Sequence, residues 1–354
     1  MGQKLIFDER PKDNRKDLFD REIEIEKIEK AVTSRKPLIL ILGVRRIGKT
    51  SVLQTALNEL NENWILLDCR KLKENYSRRD IYTLIAQSLS RRIDKLKNVL
   101  EKINGISILG NQIEIKWKGR NYISLADLFD HLNEKRVIIA IDEAQKLRGP
   151  MSNEIKEAIA HAYDYDKNLT FILTGSEIGL LYDFLGVSNP KSPLYGRYYE
   201  EIVLERFDKE KSKEMLKRGF EELSFKVNDN VLEEIYEEFG GIPGWLVFAG
   251  LQYYSGKSLK ELKEMAVQIA LNEIENLLNR TPAKRRYKIV MKCIARGSDN
   301  WTKVKECLEK EEGSIISSSV LSNILNSLEK MSIIKDYTFL DPVYRDASMK
   351  LAVR

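Results

Sequence analysis

An α/β fold on a parallel sheet, followed by a helical segment and a small helix-rich terminal domain, is what this 354-residue sequence predicts. Three observations carry that expectation. Apolar runs of strand length alternate with amphipathic helical segments as far as residue 204, the rhythm of βαβ units. Beyond Asp208 the apolar residues fall at helical spacing and the strand-like runs stop. After residue 284 come three helical segments and then two β-prone runs, the pattern of a helix-turn-helix with a wing. The expected division is a core over 1–207, a helical lid over 208–282 and a winged helix over 283–354.

Met1–Asn14 is polar, holds Pro11 and has no period, so an extended lead-in is expected there rather than an element. In Leu18–Val32, Ile23, Ile28 and Val32 recur at helical spacing, glutamates crowd the first turn and Asp20 is placed to cap a helix. The next stretch organises the chain. Pro37–Leu42 is apolar and of strand length, and Gly43, Gly48, Lys49 and Thr50 fit the P-loop spacing of Gly, four residues, Gly, Lys, Ser or Thr. Glycines let such a loop curl until successive N–H groups point at phosphate oxygens, and the following helix adds the positive end of its dipole. Gly43, Val44, Arg45, Arg46, Ile47, Gly48, Lys49, Thr50 and Ser51 are therefore the expected phosphate cradle of a nucleoside triphosphate. Lys49 is expected on the β and γ phosphates and the Thr50 hydroxyl on Mg2+. Arg45 and Arg46 suit solvent or a carboxylate partner better than phosphate. Leu18–Arg21 leads into this strand, which makes Phe19 and Arg21 candidates to lie over the adenine; an ordinary surface helix is the alternative.

Trp64–Arg70 reads as a second buried strand and Asp80–Ile103 as helical. Ile106–Trp117 switches to period two around Gly110-Asn111, a hairpin inserted on the core. Ser124 and Asp127 have capping-box spacing ahead of an amphipathic helix. In VIIAIDEAQ, Val137–Gln145, an apolar run ends in two carboxylates, at the strand edge where ligands bind in open α/β sheets. Asp142 is expected to hold Mg2+ and Glu143 to act as general base on the attacking water, against the bland alternative of a loop acid. Leu169–Glu177 is a fourth strand that brings the Thr174 or Ser176 hydroxyl between γ phosphate and water, unless the Thr-Gly-Ser turn merely closes the strand. A fifth strand is expected around Glu201–Leu204, preceded by Arg197. Its planar fork suits transition-state charge, a role worth roughly 10³–10⁵ in rate, with a structural ion pair as the competing reading.

Helices are expected over Lys209–Arg218, Asp229–Phe239, Trp245–Tyr254 and Leu259–Asn279. In FGGIPGWL, Phe239–Leu246, glycines fall where a helix ends and Pro243 where the next begins. Capping alone explains them; a contact of the turn with base or ribose is the functional alternative. The Arg280-Thr281-Pro282 turn marks the last boundary. Helices follow over Tyr287–Ala295, Thr302–Leu308 and Ser317–Met331, then wing strands at Ser332–Lys335 and Tyr337–Leu340. The third helix is the expected reader of double-stranded DNA, through Ser318, Ser319, Asn323, Asn326 and Lys330. It carries no arginine, so any basic face falls to Lys284, Arg285, Arg286, Lys288 and Lys292 on the first helix.

Charged residues make up 32% of the chain against a usual value near 25%, a bias that suits a thermophile's ion-pair surface. The last stretch, from Lys284, holds 14 basic and 9 acidic residues, and so carries the whole formal excess of +5. Cys69, Cys293 and Cys307 show no metal or redox spacing, and two histidines are too few for a structural zinc site. A reducing, cytoplasmic location is expected, without a signal peptide, because Met1–Arg21 is charged and no apolar run approaches the ~18 residues of a membrane span.

GVRRIGKT, the lead-in FDRE, VIIAIDEAQ, LTGS, LYGR and GGIP, in that order and ahead of a winged helix, resemble the archaeal ATPase family, near the AAA+ and STAND classes and the origin-recognition ATPases. The resemblance covers nearly the whole chain. It implies a P-loop NTPase with an AAA+-like five-stranded sheet of order 5-1-4-3-2, a helical lid, ATP with Mg2+, and a winged helix. By position it makes Lys49 and Thr50 Walker A, Asp142 and Glu143 Walker B, Ser176 the sensor, Arg197 the arginine and Pro243 part of the Gly-x-Pro turn. Two functions remain open: a slowly hydrolysing ATP switch that moves the winged helix, and a regulator that binds ATP or ADP without turnover, with DNA, a protein partner or a second copy as target. A helicase lacks a second motor domain here, and no Asn-Lys-x-Asp string supports GTP.

Overall fold

The computed structural model describes residues 6–120, 122–279 and 281–353. The first five residues of the expected lead-in, and Arg280 of the expected boundary turn, lie outside the described residues. The chain forms two compact units, one of residues 12–43 and 49–204, the other of 6–11, 44–48 and 205–353.

The first unit holds a parallel sheet of β1 (Leu38–Leu42), β2 (Asn63–Asp68), β5 (Val137–Asp142), β6 (Leu169–Gly175) and β7 (Glu200–Val203). A hairpin of β3 (Ile106–Leu109) and β4 (Gln112–Ile115) lies apart from it, turning at Gly110-Asn111. From edge to edge the sheet runs β2-β5-β6-β1-β7. The labels differ from 5-1-4-3-2 because the hairpin takes two numbers; the sheet strands alone, renumbered in chain order, run 5-1-4-3-2 from the β7 edge. β1, β5 and β6 are buried throughout, which is why they read as unbroken apolar runs rather than alternating ones. In register Leu42 pairs with Gly175 and Ile141 with Leu173, so these three strands end at one edge and deliver Gly43, Asp142, Thr174 and Ser176 there.

The helices of this unit are α1 (Glu22–Thr33), α2 (Lys49–Glu59), α3 (Arg78–Ser90), α4 (Ile93–Leu100), α5 (Leu125–Leu132), α6 (Ser152–Tyr165) and α7 (Ile178–Leu185). Ser124 and Asp127 form the expected capping box on α5. Two expectations need correction. Asp20 is not the cap of α1: it sits at φ +48°, and Arg21 occupies the cap position, its side chain pairing with Glu24 of the first turn and making no capping hydrogen bond. The helical stretch 80–103 is two helices, broken at Arg91-Arg92. Leu89, Ile93 and Leu96 stay buried across the break, so the apolar period gave no sign of it, while the Arg92 guanidinium stacks 3.4 Å from the Trp64 ring centre.

The second unit contains α8 (Lys209–Glu222), α9 (Asp229–Phe239), α10 (Pro243–Tyr254) and α11 (Leu259–Leu278). Phe239, Trp245 and Phe248 form an aromatic cluster, and Phe7 of the lead-in packs edge-on against Phe220. The winged helix follows as α12 (Lys284–Ala295), α13 (Trp301–Glu312), α14 (Ser318–Lys330), β8 (Ile334–Lys335) and β9 (Thr338–Phe339). The sequence did not predict the last helix, α15 (Pro342–Met349), although Asp341 ahead of Pro342 is a start signal: its carboxylate accepts the Val343 amide at 2.8 Å. No helix among the described residues is long and apolar enough to cross a membrane.

A disulfide joins Cys293 on α12 to Cys307 on α13, 14 residues apart, where the sequence spacing pointed to free thiols. Disulfides are rare in reducing compartments outside hyperthermophiles, so the cysteines no longer support the expected location. Denatured without reductant, the protein should show one reactive thiol, Cys69, against three after reduction. Cys307→Ser should cost about 2–4 kcal/mol, the range for a loop of this length; three reactive thiols without reductant would contradict the bridge.

Candidate nucleotide site

From Leu42 the chain turns through the glycine-rich loop into α2. Gly48 stands at φ +102°, which any side chain would strain although nothing crowds the position. Lys49 is buried and donates from Nζ to the Gly43 carbonyl at 2.9 Å, while Ser51 Oγ accepts the Lys12 amide at 3.1 Å.

β5 and β6 supply the acidic half. Asp142, 1% exposed, accepts from Thr174 Oγ1 at 2.6 Å and from Thr50 Oγ1 at 3.0 Å, with Arg70 Nη2 at 3.5 Å. Burial pushes its carboxyl pKa up and the Glu143 charge adds to this, against the hydroxyls and Arg70. A buried carboxylate facing a hydroxyl, with a second acid beside it, is a hard oxygen donor set of the kind Mg2+ takes. Thr50 and Asp142 therefore fit that ion.

Glu143 follows at φ +56°, and its amide donates to Thr174 Oγ1 at 3.0 Å. Thr174 thus holds both acids, donating to Asp142 and accepting from the Glu143 backbone. The Glu143 carboxylate accepts from Ser176 Oγ at 2.7 Å and from Gln145 Nε2. Gln145 Oε1 is buried without a hydrogen-bond partner among the described residues, an orphaned acceptor beside the candidate base. Sequence reasoning reached Thr174 and Ser176 but missed Gln145 and Arg70. Gln145 closes the VIIAIDEAQ string itself, and Arg70 follows the strand whose Asp68 pairs in register with Asp142.

Within the second unit, the tip of the loop is gripped by side chains from α10, α11 and α15. Arg46 stands at φ +64°, a costly conformation for a residue with a Cβ. Its fork donates to Glu273 Oε2 at 2.6 Å and Oε1 at 2.7 Å, and its guanidinium lies 4.0 Å from the Trp245 ring centre. Arg45 Nε reaches Glu273 at 3.4 Å, and the Tyr344 hydroxyl donates to Glu273 at 2.9 Å. Trp245 Nε1 donates to Asp341 at 2.8 Å. Burial alone would raise the Glu273 pKa, but the bond from Arg46 and the charges of Arg45 and Arg46 hold it below the usual range. Burial pushes Asp341 up. The Gly-x-Pro turn also reaches this point: Pro243 opens α10 and the Gly244 amide donates to the Arg46 carbonyl at 2.9 Å. A Cβ on Gly244 would stand 3.0 Å from that oxygen. The turn thus meets the backbone of the loop, and both arginines take the carboxylate partner that their residue type suggested.

Arg197 pairs with Asp164 of α6, Nη2 to Oδ2 at 2.5 Å and Nε to Oδ1 at 3.2 Å, the ion-pair arrangement weighed for it from sequence. Arg21 is buried and pairs with Glu24 at 3.0 Å; Phe19 is half-buried. On α14, Ser318, Ser319, Asn323 and Asn326 share an exposed polar face, with Lys330 half-buried. The basic residues expected to form a face on α12 are each engaged within the fold. Lys284 and Lys288 each lie 2.6 Å from Glu275, Arg285 and Arg286 pair with Glu312, and Lys292 donates to the Leu351 carbonyl at 2.8 Å.

Residues 18–248 match the family model described as an ATPase domain predominantly from Archaea, and residues 281–345 match that of the MCM protein C-terminal winged helix-turn-helix domain. A search of the curated proteins returned no match. Among solved structures, the Walker-type ATPase of Pyrococcus abyssi is 37% identical, with 97% of this chain and 99% of that one covered and a TM-score of 0.81. The Orc1 protein of Aeropyrum pernix, solved with DNA, is 14% identical over 90% of this chain and 85% of that one, at a TM-score of 0.45. AMPPCP-bound DnaA from Aquifex aeolicus is 16% identical over 91% and 92%, at 0.44. With a P-loop and a family match across most of its length, the chain belongs to the archaeal ATPase family, and it carries a C-terminal winged helix domain.

Proposed function

We propose that this protein is an ATP-driven switch: it binds ATP with Mg2+ in the loop 43–51, hydrolyses it slowly, and passes the state of the loop to its winged helix. One observation carries this reading. Arg46, at the tip of the phosphate loop, is held by Glu273 and Trp245, and those two are tied to Tyr344 and Asp341 at the start of α15. Whatever reshapes the loop must move or break that set.

Lys49 would leave the Gly43 carbonyl for the phosphates, and Thr50 and Asp142 would hold Mg2+, which when bound neutralises phosphate charge. Glu143 takes the proton of the attacking water, with Ser176 and Gln145 orienting its carboxylate. Turnover is slow because the base is engaged by both neighbours. That engagement also favours the second reading, a regulator that binds ATP or ADP without hydrolysis. Phe19 and Arg21 remain proposed adenine neighbours. Arg197 we assign to its pair with Asp164 rather than to the transition state. As working divisions we take the core at 1–207, the lid at 208–282 and the winged helix at 283–354.

The test is Mg-ATP binding followed by single turnover. Wild type should convert bound ATP to ADP, and Lys49→Ala should lose affinity by about tenfold or more, the worth of one charge-assisted hydrogen bond. Stoichiometric binding with ATP left intact would favour the regulator. Double-stranded DNA is the weaker target, because four of the five α12 cations have a carboxylate partner in Glu275 or Glu312. Across a salt series, random duplex should bind weakly, with a slope of about two released counterions or fewer. A slope near six would restore a DNA-reading winged helix.

A further inference from the structure

We propose that Asp130, His161 and Asp166 form a binding site for a divalent transition-metal ion of the zinc class, distinct from the nucleotide site. Asp130 lies on α5 just ahead of β5, and His161 and Asp166 lie at the end of α6 just ahead of β6. They therefore sit by the amino ends of strands whose carboxyl ends carry Asp142, Thr174 and Ser176, the length of the seven-residue β6 away. One potential ligand atom from each of the three lies within 4.8 Å of the others, and His161 Nε2 is 2.8 Å from Asp130 Oδ1.

A plain ion pair between His161 and Asp130 accounts for part of this arrangement and leaves the rest unexplained. Asp166 is 4% exposed, its backbone is fixed by bonds from its own amide to Ala162 and from Leu169 to its carbonyl, and its Oδ2 has no hydrogen-bond partner among the described residues. No ammonium or guanidinium among the described residues pairs with Asp130 or Asp166. Burial and then the facing Asp130 charge push the Asp166 carboxyl up to about 6. The Tyr165 ring stands 5.1 Å from the imidazole. Ligand atoms on one tetrahedral zinc stand about 3.3 Å apart, so small rotations of the exposed Asp130 and the partly exposed His161 suffice. One imidazole and two carboxylates suit zinc or manganese and leave a coordination position open. Counting cysteines and histidines alone excluded zinc from the sequence, because that count leaves out carboxylate ligands.

The test is calorimetric titration of the metal-stripped, nucleotide-free full chain with ZnCl2, in an Asp142→Asn background that disables the other candidate cation site. One equivalent should bind, and Asp166→Asn or His161→Gln should each weaken it by about tenfold or more. Zinc should also raise the melting midpoint of the Asp142→Asn chain and not that of either double variant. His161→Gln changes a partly exposed residue, so it serves if the buried Asp166→Asn fails to fold. No bound equivalent, or equal affinity in a folded variant, would overturn the site and leave two acids sharing a proton.

Discussion

Glu143→Gln should slow single-turnover ATP hydrolysis by about 10²–10⁴, the worth of a general base, with ATP affinity unchanged. The amide fits where the carboxylate stood. It accepts from Ser176 Oγ or Gln145 Nε2 as the acid does, and the backbone bond from residue 143 to Thr174 involves no side-chain charge. What is lost is the capacity to take a proton. Lys49→Ala should show the opposite division, since its ammonium is a binding group: affinity falls, and the ATP that still binds keeps its base. Hydrolysis unchanged in Glu143→Gln would remove the base from Glu143 and leave Asp142 as the only assigned acid.

Breaking the grip on the loop should have the second large effect. Glu273→Gln removes the counter-charge of Arg46 where the two side chains are 16% and 21% exposed, and should cost about 2–3 kcal/mol, because a partly buried guanidinium is left without its bidentate partner. Arg46→Ala and Glu273→Ala combined should fall short of additivity by about 1–3 kcal/mol, as residues in direct contact do. The backbone gives an independent check. Arg46→Gly relieves the cost of φ +64° that Arg46→Ala keeps, so the glycine variant should be the more stable of the two by about 1 kcal/mol. Full additivity in the double variant would show that the pair contributes nothing.

The parts of this protein readable in its sequence are those set by local chemistry. Buried parallel strands announce themselves as apolar runs, and the loop 43–50 and the acids 142–143 follow from what a phosphate and a metal require of a backbone and a carboxylate. Partnerships between distant residues were not readable. Nothing local distinguishes Glu273 from the other glutamates of α11, yet it is the one that holds Arg46. The cations of α12 promised a basic surface because charge counts do not reveal that Glu275 and Glu312 lie against them. The helix break at Arg91 and the bridge between Cys293 and Cys307 escaped for the same reason: each depends on what lies across the fold.

Hydrogen exchange at α15 tests the coupling between loop and winged helix most directly. In the Glu143→Gln chain, the amides of residues 343–349 should exchange at rates differing by about fivefold or more between saturating Mg-ATP and Mg-ADP, the smallest shift expected of a coupling near 1 kcal/mol. Adding Arg46→Ala should abolish the difference. Identical exchange in both nucleotides, with binding verified as stoichiometric, would contradict the switch.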